Sequence, residues 1–337
     1  MTSGCRVHAD ELHVLVNRLP TPLVITYPLY GCELCRAEIN GDSYLLTFPT
    51  PMETLNHLQE GCDDLAREMP GYSDLVDALL ASGVVRYGNL DAFREALSSY
   101  ENLTKQVYFG VDTNVFYHGF LTQSGLLDPA QVIIARTVHD EISQLLNIKY
   151  SGRMIERLQE ILPRHRDIIA EFSNKRRKKS RKAAYLAMPE YIAIRDRAME
   201  IAPPADTGQE SRENDRIIVR SLRGFEEDKY GLPVLLTADT YMADLCRAEG
   251  VEYFLLDRPW QVTDRECGPD QLVRLLGMLS AVFGVITVNG TTIFSEYGGK
   301  SDDTGERKLV IADRGAARTL WEDLTLCRRL MDLQIDR

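Results

Sequence analysis

The chain has 337 residues, a formal net charge of −11, and hydrophobic and charged contents of 44% and 26%. These are the proportions of a globular protein with a sizeable core, organised in two or three domains. No apolar run reaches the ~18 residues of a membrane span, and the start, Met-Thr-Ser-Gly-Cys-Arg, lacks a signal peptide's apolar stretch, so a cytoplasmic protein is expected. Seven scattered cysteines, an odd number, point to reduced thiols rather than a disulfide frame.

Residues 1–105 read as an N-terminal domain of mixed α+β character, a candidate interaction module. Leu12–Leu19 is a helix end or strand, Leu23–Leu29 an apolar segment broken by prolines, and Ser43–Phe48 a strand. Helices follow over Pro51–Gln59, Tyr72–Ala81 and Leu90–Tyr100. Cys32 and Cys35, with His57 and Cys62 downstream, fit a knuckle-type zinc site. No second tight cysteine pair accompanies them, and the alternative is buried or merely reduced thiols.

Val107–Val111 is a short β-branched and aromatic run, a buried strand. It stops at Asp112-Thr113-Asn114, a carboxylate, a hydroxyl and an amide at the end of a strand, where ligands bind in open parallel sheets. The plainer alternative is that Asp112 or Thr113 caps the next helix. Gln131–Ala135 is a second strand, and a helix starts at Thr137. On that helix Glu141 falls on the apolar stripe of Val138, Leu145 and Ile148, an expensive place for a carboxylate unless something pairs with it.

Residues 149–207 form a basic helical insertion with Met154, Ile155, Leu158, Ile161 and Leu162 on an apolar face. Seven of the eight residues from Lys175 to Lys182 are basic: Lys175, Arg176, Arg177, Lys178, Lys179, Arg181 and Lys182. Such a run reads as a phosphate-tracking arm that binds nucleic acid, or as a solvated loop. Tyr185 and Tyr191 fit base stacking and helix packing equally well. Pro203–Gly208 then reads as a loop returning to the core.

The anomaly seen at Glu141 recurs at Asp215, which shares a helix face with Ile218, Val219 and Leu222. A third strand from Leu232 ends in Thr237-Ala238-Asp239, followed by a helix over Tyr241–Gly250 and a strand over Val251–Leu256. Residues 260–337 read as a small αβββα module. It has a helix over Asp270–Leu279, a hairpin turning at Asn289-Gly290, a strand at Leu309 and a helix over Ala316–Leu333. Gly298-Gly-Lys-Ser301 is similar to the tail of a phosphate loop, but the earlier glycine and the following helix are missing.

The ordered set Val-Asp112-Thr-Asn, Val-His-Asp-Glu141-Ile, Asn-Asp215-Arg-Ile-Ile and Leu-Thr237-Ala-Asp239 resembles the PIN-domain (PIN-like) metal-dependent nucleases over residues 106–259. The resemblance implies an α/β fold: a three-layer α/β/α domain with a mostly parallel sheet, flanked by the two other modules. It implies Asp112, Glu141, Asp215 and Asp239 as acidic metal ligands and catalytic residues, with Thr113, Asn114 and Thr237 around them. Asp244 is a further outer-shell candidate, or a solvated acid near a helix start. A ligand set made only of oxygen favours Mg²⁺ or Mn²⁺ over zinc. The implied activity is an endoribonuclease acting on RNA. A flap-type DNA nuclease and a nucleic-acid-binding scaffold with an idle site are its rivals. The flanking modules are placed to support a homo-oligomer or a protein partner.

Overall fold

The computed structural model describes residues 4–203, 211–229, 231–297 and 304–333. The loop at Pro204–Gly208 and the Gly298–Ser301 stretch therefore lie outside the described residues. In chain order the strands are β1 (Cys5–His8), β2 (Leu23–Tyr27), β3 (Cys32–Asn40), β4 (Ser43–Thr47), β5 (Val107–Val111), β6 (Val132–Ala135), β7 (Met199–Ile201), β8 (Leu232–Thr237), β9 (Glu252–Leu255), β10 (Arg265–Cys267), β11 (Val285–Val288), β12 (Thr291–Phe294) and β13 (Glu306–Val310). Among the described residues no helix is long and apolar enough to cross a membrane.

The chain folds as two units. The first contains Met1–Val84, Ile148–Arg181 and Gln261–Arg337. Its eight-stranded sheet is antiparallel throughout, in the order β1-β13-β12-β11-β2-β3-β4-β10. This corrects the expectation of separate N- and C-terminal modules. β11 pairs with β2 and β13 with β1, so each end of the chain covers a sheet edge that the other would leave open. The hairpin does turn at Asn289-Gly290, with Val288 opposite Thr291 and both turn residues at positive φ (46° and 83°), as a type I′ turn requires. The helix Pro269–Phe283 buries Leu272, Leu275, Leu276 and Leu279, which pack with the helix Tyr72–Ala81.

The basic segment up to Arg181 belongs to this first unit, not to an arm of the second. Lys178 donates from Nζ to the Met69 carbonyl (2.8 Å) and to Asp74 (3.1 Å). Arg176 pairs with Glu296, and Arg177 with Glu68. Arg181, 2% exposed, donates to the Ala281 and Val282 carbonyls at the C-terminus of the helix Pro269–Phe283 and to the Arg176 carbonyl. Helix C-termini leave carbonyls unpaired and favour cations, so this is a satisfied setting for a buried guanidinium. Lys175 is also buried, its amine pushed down to about 8 chiefly by burial, with Glu171 at 3.9 Å. Of the seven cations expected to track phosphate, these five are committed to their own unit. Lys179 is exposed, and Lys182 lies over the Tyr117 ring in the second unit.

The zinc expectation is corrected as well. A bulge in β3 opposite Ile25 and Thr26 keeps Cys35 on the buried face, where it lies near Cys267. Cys62 is buried beside Tyr30, His57 is exposed, and burial pushes the Cys32 thiol up to about 11. Cys32 and Cys62 both lie near Tyr27 while Cys35 faces Cys267, and among the described residues no three such side chains group around one point.

The second unit, Val85–Asn147 with Lys182–Trp260, is an α/β fold: a five-stranded, all-parallel sheet in the order β7-β6-β5-β8-β9, flanked by helices. β6 is buried along its whole length, and so are Val234, Leu235 and Leu236 of β8, as expected of strands covered on both faces. The helix Leu90–Tyr100 joins this unit through Phe93, which packs on Phe109 and Phe254. Tyr185 and Tyr191 are buried, Tyr191 against Phe116 and His139, so packing rather than base stacking uses them.

Gly110 is the fourth of the five β5 residues, and a Cβ there would lie 2.6 Å from Leu222 Cδ1. Gly110→Ala is therefore expected to cost about 1–3 kcal/mol through overpacking. Leu222→Ala in the same chain should return part of that loss, a coupling that chemical denaturation of the single and double variants measures.

Candidate metal and active site

β5 and β8 are neighbours in register, Val111 opposite Leu236, so Asp112 and Thr237 leave the sheet side by side. The Asp112 N–H donates to the Leu236 carbonyl (3.1 Å), and Thr237 Oγ1 donates to Asp112 Oδ2 (2.8 Å). Asn114 Nδ2 approaches the same carboxylate oxygen at 3.3 Å. Asp112 occupies the N-cap position of the helix Thr113–Tyr117 by backbone, yet its carboxylate makes no side-chain capping bond. The Thr113 N–H of the first turn does act on that carboxylate, so capping accounts for part of this residue's setting and the Thr237 bond for the rest. Thr113, buried in the first turn, donates from Oγ1 to Glu141 Oε2 (2.8 Å), which ties the end of β5 to the helix Arg136–Leu145 that follows β6.

Asp239 is placed by the other side of β8. Its N–H donates to Thr237 Oγ1 (3.0 Å), and its Oδ1 accepts from the Tyr241 N–H (2.8 Å), capping the helix Thr240–Glu249. Asp215 is half-buried on the helix Ser211–Lys229, whose Ile218, Val219 and Leu222 enter the core. Thus four carboxylates come from four elements, and Thr237 serves two of the strand-end groups at once.

Their electrostatics show the proximity. Asp112 is buried, and its carboxyl is raised to about 6, first by burial and then by Asp215 and Glu141, against the lowering effect of the Thr237 hydroxyl and the Thr113 N–H. Asp215 is also raised to about 6, by burial and then by Glu141 and Asp239. Among the described residues no three His, Cys, Asp or Glu side chains close on one point as a finished metal cage. Asp112 lies within electrostatic reach of Asp215 and Glu141, and Asp215 within reach of Glu141 and Asp239.

Two details depart from the sequence reading. Asp244 is exposed and paired with Arg247 at 2.9 Å, one turn on, so it is a solvated acid rather than an outer-shell partner of the cluster. Cys246 was not singled out, yet it is fully buried behind the cluster, its thiol pushed up to about 12 by burial and by Asp112. The signal was present: Met242, Ala243 and Cys246 fall at i, i+1 and i+4 on the inward face of that helix.

The raised carboxyls have a direct consequence for stability. Between an unfolded value near 3.8 and a folded value of about 6, folded Asp112 keeps a proton that the unfolded chain loses. Stability therefore falls as pH rises through that window, by about 2–3 kcal/mol from Asp112, and stays low above it. Asp112→Asn removes this pH dependence. In chelator at pH 7 it is expected to unfold at a higher temperature than the parent, and the gap should close at pH 4; differential scanning calorimetry at the two pH values checks this.

No family model matches the chain, and no curated protein matches it. Among solved structures the chain is similar to one described as "A domain of a functionally unknown protein from Methanocaldococcus jannaschii DSM 2661", at 19% identity and a TM-score of 0.29, over 48% of this chain and 96% of that one.

Proposed function

We propose that the second unit is a PIN-like domain and that the chain is a divalent-metal-dependent endoribonuclease. The observation that supports this reading is that Asp112 and Asp239 stand at the carboxyl ends of β5 and β8 on one shared Thr237 hydroxyl, with Thr113 tying Glu141 to the end of β5 and Asp215 close enough to raise the Asp112 carboxyl. Ligands bind at this end of open parallel sheets. The donor set is carboxylate oxygen alone, which suits Mg²⁺ or Mn²⁺. Asp112, Asp215 and Asp239 would hold the ion, and Glu141 would hold it or orient a water. A bound ion supplies Lewis acidity, a water of lowered pKa and a clamp on phosphoryl oxygens.

The chain's own hydroxyls do the positioning. Thr237 orients the Asp112 carboxylate from one oxygen, and Thr113 does the same for Glu141. Ionised Asp112 and Asp215 are costly at neutral pH, so a cation that neutralises them binds with that cost released. The preference for RNA rests on the resemblance to PIN-domain nucleases.

The full-length protein with Mn²⁺ is expected to degrade labelled RNA, and a chelator to stop it. No cleavage of RNA with either ion overturns the proposal. Cleavage of flapped DNA alone transfers the site to the flap nucleases.

A further inference from the structure

We infer that Arg216, Arg220 and Arg223 form a rail that holds the phosphate backbone of single-stranded RNA along the helix that carries Asp215. The inference rests on the nuclease reading for the identity of the polyanion. The three arginines fall at i, i+4 and i+7 on the helix Ser211–Lys229, one face spanning about 10 Å of its axis. That face starts at the residue after Asp215 and lies about half a turn from the face that enters the core. All three side chains are about half exposed.

Among the described residues their internal partners do not saturate them. Arg216 and Arg220 reach Glu249 Oε1 at 3.9 and 3.3 Å. Arg223 donates to the Glu249 carbonyl (3.0 Å), lies 4.0 Å from Glu249 Oε2, and has Glu227 at 3.6 Å. Three guanidiniums thus share chiefly one carboxylate, which leaves most of their ~15 N–H donors facing solvent. The planar fork of arginine matches phosphate oxygens two at a time. The basic run Lys175–Lys182, which on composition had the better claim to phosphate, spends five cations inside the other unit. The acidic average of the chain is no obstacle, because local surplus governs contact with a polyanion.

The test is binding of a fluorescent single-stranded oligouridylate to the full chain in chelator, titrated at several salt concentrations, with cleavage in Mn²⁺ measured separately. Arg216→Gln/Arg220→Gln/Arg223→Gln is expected to weaken binding about tenfold or more and to flatten the salt slope by about 2. In cleavage it should raise KM and leave kcat. Glu249→Gln removes the shared carboxylate, so it should tighten binding several-fold, a gain that a misfolded variant does not give. Binding and KM unchanged in the triple variant, or no gain from Glu249→Gln, overturns the rail even where RNA is cut. Binding that follows both variants in a chain that cuts nothing keeps the rail and removes the nuclease.

Discussion

Asp112→Asn is expected to reduce RNA cleavage in Mn²⁺ by about a thousandfold or more, a loss of about 4 kcal/mol of transition-state stabilisation, while the protein stays folded. The asymmetry between activity and stability is the informative part. Asn keeps the size of the side chain and an oxygen for the Thr237 hydroxyl, so the end of β5 keeps its place beside β8. What it removes is a negative charge that the folded chain holds against burial, Asp215 and Glu141. The variant therefore gains stability in chelator above pH 6 and loses the stabilisation that Mn²⁺ gives the parent. Asp244→Asn is the matched control: its carboxylate is exposed and paired with Arg247, and activity should not change. Thr237→Val falls between, at about 10–100-fold, because it loosens Asp112 without removing it. Full activity in Asp112→Asn would remove the carboxylate cluster from the chemistry altogether.

The helices Tyr72–Ala81 and Leu90–Tyr100 fold over the residues their periodicity marks, and Asn289-Gly290 turns the hairpin its φ requirements demand. Those signals are local. Glu141 and Asp215 stand out for a related reason, a carboxylate on an apolar stripe, although the helix that carries Glu141 ends at Leu145 and leaves Ile148 of that stripe exposed. What local patterns do not carry is pairing between distant segments. β2 meets β11 across more than two hundred residues, so two apparent modules are one sheet. β7, three residues at the edge of the parallel sheet, has too little pattern to register.

The basic run was misread for an electrostatic reason. Composition gives the number of cations and says nothing of where their partners are. Glu68, Asp74 and Glu296 lie far off in sequence, yet they meet Arg177, Lys178 and Arg176 in the fold. Cys32 and Cys35 carry the same lesson. Their spacing suits a metal knuckle, but a bulged strand sends Cys35 into an apolar core where a thiol is favoured over a thiolate.

Arg181→Ala is expected to be the most damaging single change in the first unit, at about 3–5 kcal/mol. Arg181 is among the largest fully buried side chains, and its guanidinium donates to the Ala281, Val282 and Arg176 carbonyls while lying 5.9 Å from the Tyr150 and Phe172 rings. Truncation strands those carbonyls at the end of the helix Pro269–Phe283 and opens a cavity between that helix and Tyr150. Arg181→Met fills the volume but leaves the carbonyls unpaired, and should recover about a third of the loss; Arg181→Lys keeps a charge without the fork and should recover somewhat more. The two tryptophans make the measurement specific, since Trp321 belongs to the first unit and Trp260 to the second. With Trp260→Phe as background, the urea midpoint followed by Trp321 fluorescence should fall in the order Arg, Lys, Met, Ala. A midpoint that does not move in the alanine variant would mean that the basic run is held by its surface and not by this buried guanidinium.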